Sequence, residues 1–262
     1  MEIAVSGKGG SGKTTVAGTL ARVFAQQGRR VLAIDADPNP NLATLLGISP
    51  EKSKQVQFLS HQLVRETREP TGTAREGLVM PLTKVVSHYG MSAPDDVDLL
   101  VIGTVEHAGT GCNCQFHSIV QGILSELQVD GYGISVTDME AGLEHLKRGT
   151  VHNVEILLLI IEPYYRSMET GARMNALAQE LGVDTIYTVA NKIRDAEDTT
   201  AIQTFCARRG LNLLSMIPWD ENFIHADRLQ KAPIDCDLNA AGVVAVKRLA
   251  DELQVESWKV EG

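Results

Sequence analysis

The feature that most constrains this chain is a glycine-rich stretch, GKGGSGKT at residues 7–14, which separates two different hydrophobic patterns. The residues before it read as a short buried strand, and those from Lys13 onward have the spacing of a helix. The stretch fits G-x-x-x-x-G-K-[ST], in which glycines let successive N–H groups turn towards phosphate oxygens and the helix N-terminus adds partial positive charge. The pattern therefore predicts a phosphate-binding loop between a strand and a helix.

The residue types in this loop predict a nucleotide site. Lys13 is expected to reach the β- and γ-phosphates of ATP, and the Thr14 hydroxyl is expected to ligate Mg²⁺. The predicted cradle consists of Gly7, Gly9, Gly10, Ser11, Gly12, Lys13, Thr14 and Thr15.

Short apolar stretches alternate with helical patterns along most of the chain. Strands are predicted at 2–6, 31–35, 98–102, 132–138, 155–161, 184–190 and 212–217, and helices at 13–27, 115–128, 166–181, 196–209 and 239–254. Alternation of this kind predicts an α/β fold, a doubly wound and mostly parallel sheet with helices on both faces. We expect a single domain over residues 1–262, in which the polar and less regular segment 49–97 forms helices and loops.

Composition excludes several classes of protein. The chain has 262 residues, of which 44% are hydrophobic, enough for a full core, and a net charge of -9, which disfavours nucleic-acid binding. Its longest apolar run, at 156–161, is too short to span a bilayer, so no stable membrane association is expected. The first residues do not resemble a signal peptide, and four cysteines in a chain of this size do not suggest a disulfide framework. A reduced cytoplasm is the expected compartment.

Acidic side chains follow two of the predicted strands. Asp35 and Asp37 end the second strand, where two carboxylates at i and i+2 lie on the same side. Asp138 follows another apolar strand, as a Walker B site for Mg²⁺ requires. Ligands bind beyond the carboxyl ends of parallel strands, so these carboxylates are expected beside the phosphate loop.

The segment ValAlaAsnLysIleArg, at 189–194, predicts which base is bound. GTPases place Asn-Lys-x-Asp at this position, because the aspartate accepts hydrogen bonds from guanine. Here Arg194 occupies the place of that aspartate, which favours ATP, with Asn191 hydrogen-bonding the adenine.

The second lysine of the loop, Lys8, gives it the form GKGGxGKT. This resembles the deviant Walker A motif of the SIMIBI class, which includes MinD and ParA ATPases and the nitrogenase iron protein. The resemblance implies that Lys8 reaches across a homodimer to the partner's nucleotide.

Residues 35–41 and 138–145 resemble the switches of that class, so Asp37 is expected to position the attacking water, Asp35 to support the Mg²⁺ shell and Gly142 to act as a hinge. The catalytic residues implied are Lys8, Lys13 and Asp37.

Residues 217–220 resemble the adenine-packing loop of the SIMIBI class. The resemblance implies that Pro218 and Trp219 pack against the base, although Trp219 fits a core position equally well.

The stretch GTGCNCQFH, at 109–117, carries two thiols, Cys112 and Cys114. Thiolate pairs select soft metals such as Ni²⁺ or Zn²⁺, but two thiolates are too few for a closed site. A two-fold dimer would place the pair opposite its own copy and so form a four-thiolate site. The segment 103–114 resembles the CooC family of carbon monoxide dehydrogenase maturation ATPases. That resemblance implies ATP-dependent nickel insertion into a client nickel enzyme such as carbon monoxide dehydrogenase.

Two other classes remain as alternatives. An electron-transfer ATPase like the nitrogenase iron protein also shares a metallocentre at its dimer axis, but it takes a cysteine from just after the second switch, and residues 138–150 contain none. A positioning or partition ATPase would need a basic surface or tail, and the C-terminal tail here is acidic. Of the other candidate ligands, Cys206 fits a core position in a helix, and Cys236 has no nearby partner in sequence.

Overall fold

The computed structural model describes residues 1–68, 74–102, 113–127, 131–142 and 154–260. The strands are β1 (Glu2–Gly7), β2 (Val31–Ala36), β3 (Phe58–Leu59), β4 (Val64–Arg68), β5 (Ala74–Leu78), β6 (Met91–Ala93), β7 (Val97–Ile102), β8 (Ile134–Met139), β9 (Ile156–Ile161), β10 (Thr185–Ile193) and β11 (Leu213–Pro218). The α-helices are α1 (Lys13–Gln26), α2 (Leu42–Leu45), α3 (Pro50–Ser53), α4 (Leu82–Tyr89), α5 (Asn113–Glu126), α6 (Tyr165–Glu180), α7 (Ala196–Arg209), α8 (Glu221–Arg228), α9 (Pro233–Cys236) and α10 (Ala241–Val260).

Nine of these strands form one sheet in the order β11-β10-β9-β1-β8-β2-β7-β3, with β6 also paired to β7. All neighbours on this path are parallel, and only the pair of β6 with β7 is antiparallel among the described strands of the sheet. The chain reaches the centre of the sheet first, at β1, and adds strands on either side of it. The predicted α/β class is therefore confirmed.

Helices cover both faces of the sheet because successive residues of each strand point to opposite sides. On β1, Ile3 and Val5 pack with α1 and α10, whereas Ala4 packs on the other face with α5 and α6. The run Ile156–Ile161 is buried at every position, as expected for a central parallel strand. Both layers of the core thus lie against the strands that carry the candidate site.

The predicted elements are found, with one exception. Each of the seven predicted strands is present, with ends that differ by at most three residues, and the last helix continues to Val260. The expectation of helices and loops over 49–97 is wrong in part. This segment contains the short strands β3 and β6, which pair with β7, and the antiparallel hairpin β4–β5. Within the described ranges, no helix is both long and apolar enough to cross a membrane.

Candidate nucleotide site

The glycine-rich loop connects the end of β1 to the first turn of α1. The N–H of Ser11 donates to the carbonyl of Lys8 over 3.1 Å, which closes a turn. The residue that caps α1 is Gly12, with a left-handed φ of 94° and no side chain that could occupy the first N–H groups of the helix. A Cβ at Gly12 would lie 2.3 Å from Nδ2 of Asn191, so glycine is required here for space as well as for conformation. The helix N-terminus is left open to an anion, as the sequence predicts.

A cavity of about 400 Å³ adjoins this loop. Its lining includes most of the predicted cradle and all three predicted base-contacting residues: Gly10, Gly12, Lys13, Thr14, Thr15, Asn191, Pro218 and Trp219. Lys13 is buried, with 6% of its surface exposed, at the first position of α1. The structure therefore brings together, around one cavity, residues that are more than 200 positions apart in the chain.

Two predicted carboxylates lie side by side at the carboxyl edge of the sheet. Asp35 of β2 is in register with Asp138 of β8, and Asp138 is in register with Val5 of β1. Both carboxylates are fully buried. Burial raises the pKa of Asp35 to about 6 and that of Asp138 to about 7. The nearby charge of Asp35 raises the pKa of Asp138 further.

The environments of these two carboxylates differ. Asp35 accepts N–H groups from Leu42, over 2.8 Å, and from Asp37, over 3.2 Å. The Thr14 hydroxyl is close enough to Asp138 to lower the pKa of that carboxyl in part. Its position does not meet the geometry of a hydrogen bond, so both oxygens of Asp138 are buried without a hydrogen-bond donor. A buried carboxylate without a donor is costly unless a cation accompanies it. Asp138 with Thr14 therefore fits a Mg²⁺ ion, which prefers such oxygen ligands.

The described part of the second predicted switch, 138–142, contacts the phosphate loop, whereas the hydrogen bonds given for Asp37 lie within the first switch segment. Asp37 is half-buried, and its Oδ1 accepts the N–H of Asn39 over 2.8 Å. The N–H of Gly142 donates to the carbonyl of Gly7 over 3.2 Å, and Gly142 has a left-handed φ of 101°. A segment joined to the phosphate loop by a backbone hydrogen bond is placed to respond when that loop is filled.

The side of the cavity that is predicted to receive the base is built by the ends of β10 and β11. Trp219 is half-buried, and its main-chain N–H donates to the carbonyl of Ile193 over 2.8 Å. The guanidinium of Arg194 lies 4.6 Å from the centre of the Trp219 ring system, and the indole N–H donates to Glu221 over 3.1 Å. Trp219 thus lines the cavity rather than the core.

Asn191 has a structural role that the sequence does not reveal. Its Nδ2 donates to the carbonyl of Ser11 over 2.8 Å, and its Oδ1 accepts the N–H of Lys192 over 2.9 Å. The side chain therefore holds the phosphate loop against β10. Its predicted contact with adenine stays a prediction.

The sequence analysis missed a polar group next to Lys8. The ammonium of Lys8 lies 3.4 Å from the hydroxyl of Tyr164, which donates to Glu162 over 2.7 Å. Glu162 also accepts a hydrogen bond from Lys192 over 2.8 Å. A carboxylate directly after the buried strand β9 is a signal that could have indicated these contacts, since that edge is where ligands bind.

The predicted metal ligands are only partly placed. Cys112 lies outside the described residues, and Cys114 is the second residue of α5. Cys206 is 2% exposed and packs in an apolar cluster, which raises the pKa of its thiol to about 11 and confirms the predicted core role. In the described part of the chain, three or more metal-binding side chains do not come together.

The fold and the site define a P-loop ATPase with paired carboxylates beside the phosphate loop. Residues 3–234 match the CobQ/CobB/MinD/ParA nucleotide-binding domain family, and the chain belongs to this family. It is 37% identical to the carbon monoxide dehydrogenase accessory protein CooC of Rhodospirillum rubrum over 92% of this chain and 91% of that protein. It is 35% identical to an uncharacterized ATP-binding protein of Methanocaldococcus jannaschii over 92% and 93% of the two chains. The MinD cell division protein of Aquifex aeolicus has a similar fold, with a TM-score of 0.71 at 17% identity over 96% of both chains.

Proposed function

We propose that this ATPase is a dimeric metallochaperone that assists nickel insertion into carbon monoxide dehydrogenase or a related nickel enzyme. The observation that carries the proposal is the 37% identity to a carbon monoxide dehydrogenase accessory protein over 92% of the chain. The pair Cys112 and Cys114 supplies the thiolates that such a cargo requires. We further propose that the chain acts as one domain in a reduced cytoplasm, with neither nucleic acid nor a membrane as a stable partner.

We propose the following roles for the residues of the nucleotide site. The open N-terminus of α1 and Lys13 hold the phosphates, while Asp138 and Thr14 hold Mg²⁺, with Asp35 in support. When bound, Mg²⁺ supplies charge neutralisation at the β- and γ-phosphates. Asp37 orients the attacking water, and Lys8 contacts the nucleotide of the partner chain. Asn191, Pro218 and Trp219 enclose the base.

Strand order supports a link between this site and the cysteine pair. Asp35 is in register with Asp138 on one side and with Val101 on the other. Val101 is the penultimate residue of β7, and the chain that leaves β7 carries Cys112 and Cys114 before and within the first turn of α5. Strand β2 therefore lies between β8, which carries Asp138, and β7, which leads to the thiols. Neighbouring strands of a sheet are about 5 Å apart. ATP can change metal affinity only if the two nucleotide states hold the metal differently.

An anaerobic Ni²⁺ titration of the nucleotide-free protein tests the proposal, with bound metal and oligomeric mass measured together. We expect one Ni²⁺ for two chains, and loss of that binding in the Cys112→Ala, Cys114→Ala double variant. Cys236→Ala is the matched control, because Cys236 is a half-buried cysteine on α9 that belongs to a different part of the chain. Metal binding that is unchanged in the double variant would refute the site. A visible absorption band after anaerobic purification would instead favour an iron–sulfur cluster.

A further inference from the structure

Glu162 lies just beyond the end of β9 and is the centre of a polar cluster next to the phosphate loop. It is 8% exposed, and its two oxygens accept different donors: Oε1 accepts from Lys192 over 2.8 Å and Oε2 from Tyr164 over 2.7 Å. Its own N–H donates to Ser167 over 3.0 Å, which fixes the backbone from which the carboxylate projects. A nearly buried carboxylate with both oxygens bonded is held in one place.

Lys192 connects this carboxylate to the phosphate loop. Its ammonium donates to the carbonyl of Gly10 over 2.6 Å in addition to Glu162. Its main chain has a left-handed φ of 64°, a conformation that a lysine adopts at a cost in free energy. Such a conformation persists where the surrounding contacts hold it, and here the contacts are those of Glu162, Gly10 and Asn191.

These contacts fix the direction of two successive peptide units. The carbonyl and the following N–H of a trans peptide lie in one plane and point in opposite directions. Lys192 holds the carbonyl of Gly10 and so orients the N–H of Ser11, which closes the turn onto Lys8. Asn191 holds the carbonyl of Ser11 and so orients the N–H of Gly12. Two adjacent residues of β10 thus set the shape of the loop that receives the phosphates.

We propose that Glu162 is a positioning residue for ATP hydrolysis, which acts by holding Lys192 on the carbonyl of Gly10. Without the carboxylate, the ammonium would turn towards water, since its side chain is 33% exposed. The peptide between Gly10 and Ser11 would then be free to rotate, and the loop would bind phosphate less well. The inference rests on the ATPase activity of the family and not on the proposed cargo or dimer.

Steady-state ATPase kinetics of Glu162→Gln, Lys192→Met and the double variant test this role. Glu162→Gln removes the negative charge from the hydrogen bond with Lys192, and Lys192→Met removes that bond altogether, so we expect KM for ATP to rise about tenfold, with a smaller change in kcat. Because the two residues act as one unit, the double variant should be no worse than either single variant. Lys192→Arg keeps a cation with several donors and should restore most of the affinity.

Three outcomes would overturn the proposal. If Lys192 instead attracts phosphate as a free charge, Glu162→Gln would uncover that charge and KM would fall. If Glu162 serves only stability, the melting temperature would fall in each variant while KM stayed at the wild-type value. Glu169→Gln is the matched control, because it weakens an ion pair with Arg209 and neither residue lines the cavity. A rise in KM for Glu169→Gln as large as that for Glu162→Gln would also refute a path through Lys192.

Discussion

Replacing Trp219 with alanine tests whether the indole forms one wall of the base site. Trp219 lines the cavity of about 400 Å³, and Arg194 lies 4.6 Å from its ring centre. Stacking of a base on an aromatic ring contributes about 1–3 kcal/mol, so Trp219→Ala should weaken ATP binding about 5- to 150-fold. Arg194 is exposed, and an exposed cation–π contact contributes about 0.5–1 kcal/mol, so Arg194→Ala should weaken binding only about two- to fivefold.

Calorimetric titration measures the ATP affinity of both variants, and fluorescence titration of the Trp219 protein adds a direct reporter of the site. The chain has two tryptophans, so a Trp258→Phe background leaves Trp219 as the reporter of ATP binding. Arg209→Ala is the matched control for the arginine, since Arg209 lies 5.6 Å from the ring of Phe205, outside the cavity lining. ATP should alter the Trp219 signal at lower concentration than GTP. An unchanged signal at saturating ATP, or equal affinity in Trp219→Ala and the wild type, would refute the assignment of the base site.

Three further predictions concern buried charges. Asp138→Asn should lower Mg²⁺-dependent ATPase activity on the order of 100-fold, and Asp35→Asn should lower it less, as measured by activity against Mg²⁺ concentration. Arg22 is 3% exposed and forms ion pairs with two aspartates that are 30% and 38% exposed. Arg22→Met should therefore lower the free energy of unfolding, measured in urea, by about 2–3 kcal/mol. Arg29 is exposed, so Arg29→Met should lower it by less than about 0.5 kcal/mol. Burial, with Glu155 nearby, raises the pKa of Glu2 from 4.5 to about 7, and the folded state therefore holds an extra proton between these values. Stability should fall as pH rises through that window, and Glu2→Gln should flatten the melting temperature over the same range.

The regular part of the fold is predictable because its central strands, β1, β2, β8 and β9, are buried at every position. A run such as Ile156–Ile161 has few other ways to be buried, and the helices between strands follow from their own spacing. The hairpin β4–β5 is different, because the sequences VRETR and AREGL carry charges rather than an apolar alternation. The hairpin packs on α5, where Gly122 leaves room for Val64 and Leu78. Nothing in the sequence around these three residues indicates that contact.

The candidate site likewise has a part that the sequence predicts and a part that depends on the order of the strands. Loop residues such as Lys13 and Thr14 form a continuous motif, and their spacing alone predicts phosphate binding. The contact of Glu162 with Lys192 depends on β9 and β10 being neighbours in the sheet, and strand order cannot be read from the alternation of elements. Their contact is thus a property of the topology, although both residues follow or end buried strands.

The difference between Asp35 and Asp138 shows how environment assigns roles to chemically identical groups. In the sequence, each is an aspartate at the end of an apolar strand, and either could ligate Mg²⁺ directly. In the structure, Asp35 already accepts two main-chain N–H groups, from Asp37 and Leu42, so direct ligation would compete with bonds that shape the turn between them. Asp138 has two buried oxygens without such donors, and a cation there removes an existing cost. Asp138 is therefore the better direct ligand. Asp35, which lies between Asp138 and the strand leading to the cysteines, is better placed to relay a change at the proposed Mg²⁺ site to the turn at 37–42.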